Sequence, residues 1–279
     1  MTYKTILLYL NDLRRAQRLL DTALPLANKM QAHLIALNVL PPYVVLPGGE
    51  IGGGVTVDAH REAYRTEIAQ LKAHFAEATR LNAAKAEWRE ADANFASATG
   101  TVIEHGRACD LIIASQKDSE WVLSSYLEEP ERLAMESGRP VLLVPNNGKI
   151  VPTPKRVTVA WNGRREAVRA TFDALPLLVE ADEVNILWVH PENDPEAAGD
   201  LPGADISAVL ARHGIKCLAS QTSAADRGVA AEILRQANAF GSELIVMGIY
   251  GHSRLREFIL GGASRDMLAQ MDRLVLMSH

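Results

Sequence analysis

Short runs of apolar, largely β-branched residues punctuate the chain, and longer stretches with apolar residues three or four positions apart separate them. The short runs predict strands near 5–10, 33–39, 85–91, 110–115 and 140–144, then near 156–161, 184–190, 216–221, 243–248 and 273–277. The amphipathic stretches predict helices over 13–30, 58–82, 94–106 and 129–138, then over 164–180, 204–213, 226–240 and 262–270. Strands alternating with helices predict an α/β architecture with parallel sheets covered on both faces. Pro25 and Pro176 fall inside predicted helices and should kink or interrupt them.

The pattern is stated twice. "TILLYLNDLRRAQRLLDTALPLANKM" from Thr5 and "VTVAWNGRREAVRATFDALPLLVEAD" from Val157 place Asn11 against Asn162 and one "ALPL" against another at a constant offset. "CDLIIAS" (109–115) matches "SELIVMG" (242–248), and "RPVLLVP" (139–145) matches "RLVLMSH" (273–279). "NNGKIVPTPK" (146–155) has the composition of a linker. The reading is therefore two domains, 1–147 and 155–279, each with five parallel strands that suit a doubly wound sheet, for which the order 3-2-1-4-5 is expected. Such a sheet holds its ligand beyond the strand C-termini, between strands one and four. In the second half that crevice is bordered by the loops after Asn162 and Met247.

At that position stands "GIYGHSRLREFILGGASRD", residues 248–266. Gly248 and Gly251 close a strand, and Gly261 and Gly262 open the last helix. Glycines permit close backbone approach, and free amides at a helix start favour phosphate oxygens. The same spacing also fits a glycine-eased strand exit with no ligand. Arg254, Arg256 and Arg265 could support an anion or form a solvated helix face, and His252 could hydrogen-bond within the loop.

Composition narrows the function classes. A net charge of −5 and an aromatic content of 5% argue against a nucleic-acid or anionic-membrane surface. No apolar run reaches the ~18 residues of a membrane span, and the N-terminus lacks a leader pattern, so a cytoplasmic protein is expected. Cys109 and Cys217 are distant in sequence and read as buried thiols. There is no GxxxxGK[ST] loop, HExxH or zinc-like cysteine–histidine spacing. "GASRD" puts Asp266 where a nucleophile elbow needs a small residue, so Ser264 reads as a helix-start residue. Residues 41–58, glycine-rich and long for a connection, predict a mobile flap.

"ILLYLND", "VTVAWNG" and the run of GxxG, nine residues and Gly after "LIVMG" resemble the universal stress protein family in its tandem form, across nearly the whole chain. The resemblance implies a nucleotide-binding-like fold whose halves pair through their last strands. It implies a stress-response regulatory or sensor module binding ATP or a related adenine nucleotide, with Mg, in the C-terminal half. The implied site is Asn162, Gly248, Gly251, His252, Gly261, Gly262 and Ser264. Two positions depart from the family pattern: Gly262 stands where Ser or Thr follows the third glycine, and Asn11 and Asn162 stand where the binding branch has Asp. The first half has "QKDSEWVLSSYLEEPERLAMESG" in place of the glycines, and its Glu120, Glu128 and Glu129 would repel a triphosphate. That half is expected to be a structural partner with a degenerate site. The alternatives are a nucleotide-independent interaction scaffold with an unknown protein partner, or a weak ATPase. Association of two chains into a homodimer is compatible with each.

Overall fold

The structure, a computed structural model, describes residues 2–40, 54–93, 97–120, 127–190, 203–224, 227–249 and 262–279, with the backbone alone for 54–63. The N-terminal half runs β1 (Thr5–Tyr9), α1 (Leu13–Met30), β2 (His33–Leu40), α2 (Gly54–Asn82), β3 (Ala86–Asp92), α3 (Ala98–Gly106), β4 (Leu111–Ser115), α4 (Pro130–Glu136) and β5 (Val141–Val144). The C-terminal half runs β6 (Arg156–Ala160), α5 (Arg165–Asp173), α6 (Leu175–Leu178), β7 (Glu183–His190), α7 (Ala204–Arg212), β8 (Cys217–Ser223), α8 (Val229–Phe240), β9 (Leu244–Gly248), α9 (Gly262–Gln270) and β10 (Leu274–Ser278).

All ten strands form one sheet of order β3-β2-β1-β4-β5-β10-β9-β6-β7-β8. Each half reads 3-2-1-4-5, with parallel pairing inside it. The halves meet through their last strands, which pair antiparallel with Val275 opposite Leu143, Leu276 opposite Leu142 and Met277 opposite Val141. All strand directions therefore reverse across this seam, and the strand C-termini of the two halves lie at opposite edges of the sheet.

Strand alternation sends Ile6 and Leu8 to one face and Leu7 and Tyr9 to the other. The resulting cores each run through both halves: Leu142 and Leu276 belong to one, Leu143 and Val275 to the other. Arg18 fastens the start of the connection by donating to the carbonyls of Pro145 and Gly148, both at 2.6 Å. Gly148 has φ +92°, and a Cβ there would lie 2.0 Å from the Asp272 carbonyl oxygen. Gln116 bridges the halves: its Nε2 donates to the Leu268 carbonyl at 2.7 Å, while its Oε1 accepts from Asn146 N at 2.9 Å.

The two prolines behave differently. α1 runs unbroken through Pro25, held by a buried face that includes Leu19, Leu20, Ala23, Leu26 and Ala27. The equivalent helix is divided at Ala174, two residues before Pro176. Ala174 keeps helical dihedrals and its carbonyl accepts from Leu177 N at 2.8 Å, so the interruption is one tightened turn. α2 begins at Gly54, so the predicted flap shortens to residues 41–53, which lie outside the described residues. Cys109 is buried, while Cys217 on the outer strand β8 is only partly covered. Among the described residues no helix is long and apolar enough to cross a membrane.

A buried carboxylate ties α8 to β8. Glu232 accepts from Arg235 Nε (2.8 Å) and Nη2 (2.7 Å), Thr222 Oγ1 (2.7 Å) and Gln236 Nε2 (2.9 Å). The Arg235 bonds foremost outweigh burial and hold its pKa down at about 2. A depressed carboxylate stabilises the fold above its ordinary titration range, and that contribution disappears as pH falls toward 2. Thermal midpoints of the protein and of Glu232→Gln should therefore differ by the equivalent of about 2 kcal/mol above pH ~5 and converge near pH ~2, discounting for the half-exposed Arg235.

Candidate functional site

The sheet order places a switch point between β6 and β9, where successive connections leave toward opposite faces. A crevice of about 310 Å³ opens there. Trp161 and Asn162 reach it from the end of β6, Leu187, Trp188 and Val189 from β7, and Met247 and Gly248 from β9. Gly262, Ala263 and Ser264, the first turn of α9, form part of its wall, with Val229 and Ile233 of α8 and Arg164, Glu166 and Ala167 around the start of α5. The structure thus brings together Asn162, Gly248, Gly262 and Ser264. Gly251, His252 and Gly261 lie outside the described residues, as do Arg254 and Arg256.

The glycines are present for different reasons. A Cβ on Gly248 would lie 2.5 Å from the carbonyl carbon of Glu166 and 2.7 Å from Ala167 N, so the bare backbone lets α5 settle against the end of β9. At Gly262 a Cβ would meet nothing within 4 Å. Asn162 is exposed, and its Oδ1 accepts from Arg164 N at 3.1 Å, an Asx turn leading into α5. Arg265 projects into solvent, 3.5 Å from Asp266.

Among the lining residues that escape the sequence reading are Trp161, Trp188 and Glu166. The low aromatic content hides the indoles, because it says nothing of where individual tryptophans sit. Glu166 sits in the first turn of α5, where an acidic residue reads as routine helix chemistry.

At the corresponding point of the N-terminal half, between β1 and β4, the described residues leave a cavity of only about 10 Å³. That is about the space one water occupies. Side chains fill the rest. Tyr9 stands where the repeat has Ala160; it is buried and donates from its hydroxyl to the Leu127 carbonyl at 2.9 Å. Both ends of the Asn11 amide are engaged by Val39, Nδ2 donating to its carbonyl and Oδ1 accepting from its N–H, each at 2.9 Å. A carboxylate at position 11 could not make the first of these bonds. Glu128 occupies the end of β4, accepting from Ser115 Oγ at 2.9 Å and Asp118 N at 3.0 Å and pairing with Arg15 Nη2. Arg15 also donates to Asp12 Oδ2 at 2.8 Å and to the carbonyl of Gln116 at 2.9 Å. Ser115 is the counterpart of Gly248, so this half holds a carboxylate of its own beside the matching strand end.

Neither a protein-family model nor a curated protein matches the sequence. Solved structures do match the fold. A universal stress protein from Archaeoglobus fulgidus DSM 4304 is similar over 98% of this chain and 95% of its own, with a TM-score of 0.74 at 18% identity. A functionally unknown protein from Pseudomonas aeruginosa PAO1 is similar over 99% of this chain and 92% of its own, with a TM-score of 0.62 at 15% identity. What these chains share with the present one is the α/β fold of universal stress proteins, over nearly its full length.

Proposed function

We propose that the chain is a tandem universal stress protein, with an N-terminal domain over 1–147 and a C-terminal domain over 155–279, and that it acts as a nucleotide-responsive regulatory module. The C-terminal domain is the one that binds, taking ATP or a related adenine nucleotide. The observation that carries this reading is the contrast between the two switch points, a crevice of about 310 Å³ at one and about 10 Å³ at the other. The residues assigned to the ligand are Asn162, Gly248, Gly262 and Ser264, together with Gly251, His252 and Gly261 from the sequence signature. The α9 N-terminus offers backbone amides to a phosphate, and Trp161 and Trp188 offer apolar surface to a base. Among the described residues no three His, Cys, Asp or Glu side chains converge on a common point. Magnesium in this reading arrives with the nucleotide's phosphates, as is usual for that ion.

Calorimetric titration with AMP and ATP tests the reading, alongside mass spectrometry of ligand released from freshly purified protein. Heat of binding to either nucleotide, or a copurified adenine compound, supports it; absence of both sinks it. Gly262→Ser bears on the departure from the family pattern. The new side chain enters open space, so the expected outcome is an unchanged thermal midpoint and roughly three- to tenfold tighter binding of a phosphorylated ligand, the effect of one added hydrogen bond.

A further inference from the structure

Two helices that wall the crevice end on the other half of the chain. α5 brings Glu166 and Ala167 to the crevice with its first turn, and α9 brings Gly262, Ala263 and Ser264 with its own. The last carbonyls of a helix have no partner within it and must find one outside. At the end of α5, the tightened turn around Pro176 sends Leu177 N to the Ala174 carbonyl at 2.8 Å, where an unbroken helix would send it to Asp173. The Asp173 carbonyl accepts instead from the hydroxyl of Tyr3, just before β1, at 2.7 Å. Tyr3 is buried, and that burial, with Asp173 and Asp110 nearby, pushes its phenol up, so the hydroxyl keeps its proton. At the end of α9, the Leu268 carbonyl accepts from Gln116 Nε2 at 2.7 Å. Gln116 follows β4, is 7% exposed and is itself held from several sides. Its N–H donates to the Val144 carbonyl at 2.8 Å, its carbonyl accepts from Arg15 Nη1 at 2.9 Å, and its Oε1 accepts from Asn146 N at 2.9 Å.

At these positions the support runs in one direction. With β1 aligned on β6 and β4 on β9, the counterpart of Tyr3 is Pro154 and that of Gln116 is Ile249. Pro154 carries no hydroxyl and Ile249 no polar side-chain atom, so neither can return the matching bond to α1 or α4.

We propose that the N-terminal half serves the crevice of the C-terminal half, with Tyr3 and Gln116 as positioning residues that hold the far ends of α5 and α9. They thereby set where the first turns of both helices meet a ligand, an assignment that rests on the nucleotide reading above. Each helix has nine residues and is a stiff rod about 13 Å long. In a close-packed interior a rod loosened at one end shifts at the other. For α9 the shifted end carries the amides offered to a phosphate; for α5 it is the turn seated against Gly248.

Tyr3→Phe removes one oxygen, and Gln116→Met keeps the length of the side chain without its donor. In calorimetric titration of the intact chain with AMP and ATP, each variant is expected to bind about three- to tenfold more weakly than the parent, the effect of one buried hydrogen bond. Amide hydrogen exchange of the ligand-free protein is the second measurement. Gln116→Met should speed exchange about threefold or more in α9, and Tyr3→Phe in α5, with β2 and β7 unchanged in both. Unchanged affinity in both variants overturns the proposal. So does exchange that stays at the parent rate in α5 and α9, or that rises equally throughout the chain, the sign of residues that only add stability. A parent that binds neither nucleotide overturns the nucleotide reading. The exchange measurement needs no ligand: local acceleration then retains the positioning of the two helices, and its absence overturns both.

Discussion

Arg15→Ala is expected to lower the thermal midpoint by about 6–10 °C, although Arg15 lies in the half assigned no ligand. Its guanidinium is the shared cation of two buried carboxylates, Asp12 and Glu128, whose side chains are 4% and 5% exposed. It also reaches the Gln116 carbonyl and Asn146 Oδ1, so one side chain ties α1 to the end of β4 and the start of the linker. Asp12 retains Arg14, whose Nη2 lies 3.0 Å from Oδ2. Glu128 would keep the Ser115 hydroxyl, the Asp118 amide and the more distant attraction of Arg14, yet lose the guanidinium that pairs with it directly. Removing one member of a buried ion pair typically costs about 3–5 kcal/mol, and for a chain of this size each kcal/mol moves the midpoint by roughly 2 °C. The companion variant Arg15→Ala with Glu128→Gln should recover more than half of the loss, because the uncompensated charge is gone. If the single variant melts within about 1 °C of the parent by calorimetry, the ion pair does not hold this end of the half together.

Gly248→Ala is expected to destabilise the protein by about 3 kcal/mol and to weaken nucleotide binding at least tenfold. The added methyl would sit 2.5 Å from one backbone atom of α5 and 2.7 Å from another. Backbone cannot swing aside as a flexible side chain would, so the start of α5 must move, carrying Arg164 and Glu166 with it. A phosphate-contacting glycine without such neighbours would behave differently: binding would fall and the melting temperature of the ligand-free protein would not. Measuring both quantities on Gly248→Ala separates the cases, and an unchanged midpoint would refute the packing account. Gly262→Ala, facing open space, is the control expected to melt normally.

These two residues also mark how far the sequence could be read. Strand positions came out within one or two residues, because buried parallel strands such as Leu111–Ser115 and Leu244–Gly248 are continuous apolar runs that helical periodicity does not imitate. Repetition of the pattern divides the chain into two similar halves, and the order 3-2-1-4-5 expected of a doubly wound sheet, which both halves adopt, locates the crevice. Less legible was what each conspicuous residue touches. Gly248 reads as a phosphate neighbour, yet its nearest constraint is a helix 82 positions upstream in the chain. Asn11 and Asn162 align perfectly, but one bridges two strand ends while the other starts a turn in solvent. Glu128 reads as a repelling charge, whereas the fold turns it inward and supplies donors for it. Tyr9 opposite Ala160 was visible in the aligned repeats, and its meaning needed only the recognition that this position faces the switch point. Partnerships across long sequence separations are set by packing, and composition and spacing do not encode them locally.

The antiparallel seam between β5 and β10 has a further consequence, for the way such a protein can diverge. Where two identical subunits pair through their last strands, every substitution appears on both sides of the axis, and the association weakens on dilution. Here both partners belong to one covalent chain, so their pairing is independent of protein concentration. Each side is also free to accumulate changes the other does not share. One can therefore fill its crevice with Tyr9 and Glu128, while the other keeps Ala160 and Gly248 and an open cleft.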